Sequence, residues 1–132
     1  MIEVLICPYC GKPAELVNGS RLFPHRRDLN KEMCASNFWL CIRCDAYVGC
    51  HKPNERYGLN GTEPLGTMAN ENLRTLRVKL HKRFDSLWLS GEMNRTEAYR
   101  LMAQVLGVSI DKCHIGMFDE ETCRKALEIF NE

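Results

Sequence analysis

The chain has 132 residues, of which 45% are hydrophobic and 27% charged, and its formal net charge is +1. That composition is globular and sized for one domain, or for two small units sharing a core, with no stretch long and charge-free enough to span a membrane. Near-zero charge excludes attachment to nucleic acid through bulk electrostatics, so any such role must rest on local patches.

The opening MIEVLIC carries Glu3 inside its short apolar run and has no basic flank, so no secretory leader is expected. Ile2, Val4 and Ile6 alternate with other positions, which predicts a strand leading into Cys7-Pro-Tyr-Cys10-Gly. Lys12 to Val17 reads as the next strand, Asn18-Gly19 as a tight hairpin turn, and Ser20 to Phe23 as the return. Pro24 opens a polar loop over 24–37. Phe38-Trp39-Leu40 reads as a strand entering Cys41-Ile-Arg-Cys44, and Ala46-Tyr47-Val48 as the strand leaving it. Residues 52–66, with Asn60-Gly61 and Pro64-Leu65-Gly66, have the composition of a linker.

From Thr67 the period changes. Thr67 is placed to cap a helix from Met68 to Leu89, in which Leu73, Leu76, Leu80, Phe84 and Leu87 form an apolar stripe with Trp88 beside it. Ser90-Gly91 ends it. Asn94 with Glu97 resembles a capping box opening a helix through Leu106, which Gly107 closes. After a turn around Ser109–Cys113, Asp119 caps a last helix with Cys123, Ala126, Leu127 and Phe130 on one face. The expected fold class is α+β: a zinc β-ribbon (1–51), a Gly/Pro-rich linker (52–66), and a long amphipathic helix with a small helical unit (67–132) packed on the ribbon.

The two Cys-x2-Cys pairs, Cys7/Cys10 and Cys41/Cys44, decide most of the chemistry. In such a knuckle the two intervening residues turn the chain so that both sulfurs face one point. Gly11 after Cys10, and Asp45 after Cys44, occupy the position where a left-handed backbone lets N–H groups point at sulfur. Four thiolates make a closed tetrahedral shell, which suits one structural zinc ion better than an iron–sulfur cluster, the other cofactor four cysteines hold. A closed shell leaves no position for water or substrate, so the metal is a staple and function must come from the surface it holds in shape. Knuckles plus four scattered cysteines (Cys34, Cys50, Cys113, Cys123) fit a reducing cytoplasm better than a disulfide scaffold.

Other clusters are weaker. Cys50 and His51, with His81 and the Cys113-His114 pair, contain ligands that a second soft metal accepts, but at no diagnostic spacing; a packed Cys50 and a turn-bonded His51 account for them better. Arg74, Arg77 and His81 share a face of the long helix, with Lys82 nearby, and Arg26 and Arg27 lie in the 24–37 loop. Both sets are candidate contacts to nucleic-acid phosphate or to a partner protein, and both are diluted by nearby acids. Phe84, Trp88, Tyr99, Phe118 and Phe130 are in register with core positions and not with an exposed stacking face.

Taken together, CPYCG, CIRCDAYVGCH, PLGTMAN, the LRxxRxxxHxxFDxLW stretch over 73–88 and CHIGMFDEETC over 113–123 resemble a zinc-finger-containing domain family of uncharacterised function from bacteriophages, prophages and bacterial genomes. The resemblance covers nearly the whole chain, with the motifs in the same order; only 24–37 is longer than expected. It implies a zinc ribbon fused to a helical half, a mobile-element setting and a cytoplasmic location in a bacterium or infected host cell. It supplies no substrate and no catalytic residue.

The leading expectation is a non-enzymatic adaptor or regulator binding nucleic acid or a nucleic-acid-processing complex. The alternative is a phage or prophage module that binds a host protein, for example as an inhibitor. A hydrolase or nuclease using His51, His81 and His114 comes third, because no nucleophile–base pair, phosphate loop or carboxylate pair supports it. No small-molecule substrate is expected.

Overall fold

The computed structural model describes residues 4–26, 28, 30–91 and 93–130. The chain is an α+β protein that divides into two compact units, Met1–Asn70 and Glu71–Glu132. No described helix is long and apolar enough to cross a membrane.

The first unit is built on a three-stranded antiparallel sheet in the order β1 (Glu15–Asn18), β2 (Asn37–Cys41), β3 (Ala46–Gly49). Leu16 pairs with Trp39, and Trp39 with Val48, so these three lie on one face; Val17, Phe38 and Gly49 share the other. On the first face Trp39, Cys41 and Ala46 pack with Cys7, Ala14 and Met68. On the second, the rings of Phe23, Phe38 and Tyr47 meet edge to face at 5.8–6.3 Å, geometry that suits their quadrupoles.

Ser20–Phe23 does not return as a strand. The Asn18 side chain accepts a hydrogen bond from the Arg21 N–H at 2.9 Å and caps a single helical turn, α1 (Gly19–Leu22). Asn serves a hairpin turn or a helix cap equally well, and here the cap wins. The reason is packing. A β-carbon at Gly19 would stand 2.0 Å from the Met33 carbonyl oxygen, so glycine is there for close approach to α2 (Lys31–Ala35), a helix inside the segment expected to be irregular. The expected strand at Ile2–Ile6 reduces to a bridge between Ile6 and Pro13; residues 1–3 lie outside those described.

Residues 52–66 do not behave as a linker. Trp39 Nε1–H donates to the Thr62 carbonyl at 2.7 Å and Asn37 Nδ2 to that of Gly61 at 2.8 Å. His51 N–H bonds Glu63 O, and Leu65 N–H bonds Gly49 O. Prolines and glycines there shape a strap whose carbonyls satisfy the polar edge of a buried tryptophan. Burial works against ionisation of Glu63, but its own backbone N–H and those of Asn60, Gly61 and Thr62 hold its carboxyl below the ordinary value. Immediately after the strap, Ala69 exchanges both backbone hydrogen bonds with Tyr47, at 3.0 and 3.1 Å. Those groups are then unavailable to a helix, so α3 starts at Glu71 and Thr67 is not its cap.

In the second unit α3 (Glu71–Leu89) packs with α4 (Arg95–Leu106) and α5 (Glu120–Ile129). Of the expected stripe, Leu73, Leu80 and Phe84 are buried, while Leu76, Leu87 and Trp88 are half-buried. The Phe84 ring centre lies 4.7 Å from that of Tyr99 and 5.9 Å from that of Phe130. Asn94 caps α4 through the Glu97 N–H at 2.8 Å, and Gly107 ends it in the left-handed conformation. Asp119 caps α5 through the Thr122 N–H, and Cys123, Ala126 and Phe130 are buried.

Candidate metal centre

The two knuckles are built on different supports. The first sits at the end of a narrow loop in which Ala14 N–H bonds Leu5 O at 2.8 Å and Cys7 N–H bonds Lys12 O at 2.9 Å. The second runs from the last residue of β2, Cys41, into the four-residue connection to β3, closed by the Cys41–Ala46 pair. Gly11 has φ 74° and Asp45 φ 49°, so both occupy the left-handed position that the sequence assigned to them. Asp45 is the one non-glycine residue with positive φ among those described.

These supports bring Cys7, Cys10, Cys41 and Cys44 together, with all four sulfur atoms within 4.8 Å of one another. The Cys10 and Cys41 sulfurs are 3.7 Å apart. Thiolates bound about 2.3 Å from zinc at the corners of a tetrahedron stand about 3.8 Å apart, so the donor set fits such an ion in spacing as well as in chemistry. Cys7 and Cys41 are buried, Cys44 is partly buried and Cys10 is exposed. A backbone hydrogen bond from Lys12, aided by Arg43 at 3.9 Å, draws the Cys10 thiol down to about 6. Burial and the neighbouring thiols push Cys44 up to about 12. Four sulfurs this close do not ionise together without a cation among them.

Residues 3–132 match the profile of a family described as a zinc-finger-containing domain. The chain belongs to that family. No curated protein and no solved structure gives a significant match.

Among the described residues the four cysteines are the only group of three or more Cys, His, Asp or Glu side chains that converges in this way. Cys50, His51 and His114 form no such group, and His51, His81 and His114 are all exposed. Burial raises the Cys50 thiol to about 11, with Glu63 adding to the effect, and burial also raises Cys113 and Cys123. Cys113 and Cys123 are buried and Cys50 packs against the core of the first unit, so their surroundings favour the protonated thiol.

The cationic candidates separate. Arg26 is ion-paired with Asp28 at 2.7 Å and lies over the Phe23 ring; Arg27 falls outside the described residues. Arg77 is half-buried and directs Nε and Nη2 at the Phe118 carbonyl, at 3.2 and 2.8 Å, so it is a structural residue and not a free phosphate contact. Arg74 is half-buried, whereas Lys79, His81 and Lys82 are exposed. Sequence reasoning passed over Tyr57, which is 68% exposed in the strap. Its signal, an aromatic flanked by Arg56 and Gly58 in a Gly/Pro-rich stretch, is easily taken for linker composition.

Proposed function

We propose that the four cysteines hold one structural zinc ion and that the chain is a non-enzymatic recognition module for nucleic acid or a nucleic-acid-processing complex. The observation that carries a binding reading over a catalytic one is the closed four-sulfur cluster. With every coordination position filled by sulfur, the ion shapes the surface and takes no substrate. Its binding energy becomes folding energy for a unit whose own core is small. Nucleic acid is favoured by the exposed Lys79, His81 and Lys82 on α3, since Lys79 and Lys82 have no carboxylate partner among the described residues. A reducing cytoplasm suits eight cysteines none of which is in a disulfide.

The second reading is a phage or prophage module acting on a host protein. It is favoured by the exposed knuckle side chains Tyr9 and Ile42, the latter 68% exposed. Titration of zinc-loaded protein against labelled single-stranded and duplex oligonucleotides, from about 50 mM to about 200 mM salt, separates the two. Binding that weakens steeply with salt, and weakens further in Lys79→Glu/Lys82→Glu, supports nucleic acid. No binding at low salt transfers the lead to the protein partner. Purified protein should carry one tightly held zinc, lost with the sheet in Cys41→Ser; a fully retained sheet in that variant refutes the staple.

A further inference from the structure

The strap carries a feature that neither the metal cluster nor the tryptophan it covers requires. Asn54 and Leu59 close a short loop through two backbone hydrogen bonds, Asn54 N–H to Leu59 O at 2.8 Å and the reverse at 2.9 Å. Inside it a 3-10 turn, Glu55–Tyr57, is capped by the Asn54 side chain and ended by Gly58 at φ 68°. A loop stapled in this way has already lost its backbone freedom, so whatever it presents is preorganised. It presents Tyr57, an aromatic held in water where it adds nothing to the core, with the Arg56 guanidinium 5.6 Å from the ring centre.

Beside the loop lies a cleft of about 640 Å³ with Pro53, Leu59 and Leu65 as its apolar part and His51, Asn54 and Tyr57 as its polar rim. No carboxylate lines it. Among the described residues the Tyr57 hydroxyl, the His51 ring and the Asn54 Nδ2 make no hydrogen bond, and Arg56 has no carboxylate partner. Lys52, also at the cleft, is ion-paired with Glu32 at the surface, and Arg56 beside the Tyr57 ring is the second cation of the loop.

We infer that this loop and cleft form a stacking site for one unpaired base of a single-stranded nucleic acid. The inference rests on the nucleic-acid reading above and gives it a location. An aromatic face accepts any base, unpaired amide and imidazole groups meet base edges, and a neighbouring guanidinium meets the phosphate. A peptide adding a strand fits less well, because the backbone groups of Asn54 and Leu59 already bond each other and offer no edge.

The test uses the whole zinc-loaded chain and single strands of about 12 nucleotides, DNA and RNA, carrying one 2-aminopurine, with the matching duplexes as controls. Single strands should bind in preference to duplex, with 2-aminopurine fluorescence quenched on binding. Tyr57→Ala should weaken single-strand binding about tenfold or more and remove the quenching, while Tyr57→Phe retains both. Zinc content and circular dichroism should not change in either variant. Single-strand affinity and quenching unaltered in Tyr57→Ala overturn the site while leaving the nucleic-acid reading standing. Failure of the wild-type chain to bind any oligonucleotide overturns both. Duplex preferred over single strand, or a peptide ligand lost in Tyr57→Ala without any nucleic-acid binding, also overturns the stacking site.

Discussion

Replacing Arg77 tests whether the basic face of α3 is a ligand surface or a structural one. Its Nε and Nη2 both donate to the carbonyl of Phe118, the residue just before the Asp119 cap of α5. A hydrogen bond from a charged donor contributes about 1.5–3 kcal/mol, and stranding a half-buried carbonyl costs about 1–3 kcal/mol. These overlap, because the lost bonds and the stranded oxygen are the same event, so Arg77→Ala should destabilise the second unit by about 2–3 kcal/mol. Arg77→Glu should cost more, since it sets a carboxylate against a carbonyl oxygen beside Asp119 and Glu120. Urea denaturation followed by helical circular dichroism gives the magnitude, and amide exchange over 119–123 gives the location. Stability within about 0.5 kcal/mol of wild type, the range of ordinary surface changes, would refute the structural role. The practical consequence is that a charge reversal at Arg77 is a poor probe of nucleic-acid binding; Lys79 and Lys82 are the sound positions.

Gly19→Ala should destabilise the first unit by about 1–3 kcal/mol or more, because the added carbon meets backbone, which cannot swing aside as a side chain would. Thermal unfolding checks this, and an unchanged midpoint would mean that α1 and α2 separate without cost. Glu63 has a depressed folded pKa, so its stabilising contribution is complete above the ordinary value of 4.5 and is lost as pH falls through the folded pKa. Amide exchange of Asn60–Thr62 should therefore accelerate on acidification in wild type and be pH-flat, after correction for intrinsic rates, in Glu63→Gln. An acid response that persists in the variant would assign the effect to another group.

The clustering of the four cysteines was legible, because spacing within each knuckle turns two sulfurs to one side locally, down to the left-handed Gly11 and Asp45. Strands β2 and β3 and the caps at Asn94, Asp119 and Gly107 were legible for the same reason: each signal acts within a few residues. What escaped depends on partners distant in sequence. Asn18-Gly19 has the composition of a hairpin, and only the approach of Met33 makes it a helical turn. Thr67 has the chemistry of a cap, and only Tyr47 claims the backbone at Ala69. Residues 52–66 have the composition of a linker, and only Trp39 and Asn37, reaching for Thr62 and Gly61, turn them into part of the sheet's cover.

A metal gripping Cys10 and Cys41 would place the two-helix excursion between β1 and β2 inside a ring, joining the chain on either side of it. Ring-closure entropy rises only logarithmically, by about 0.6 kcal/mol for each doubling of length. With the cysteines clamped, the stretch between α1 and α2 could grow or shrink at little ring-closure cost, provided that Gly19 and Ser36 still meet at the base, as they do at 3.0 Å, and Phe23 keeps its place against Phe38 and Tyr47. That stretch is thus a natural place to insert a reporter without disturbing the knuckles.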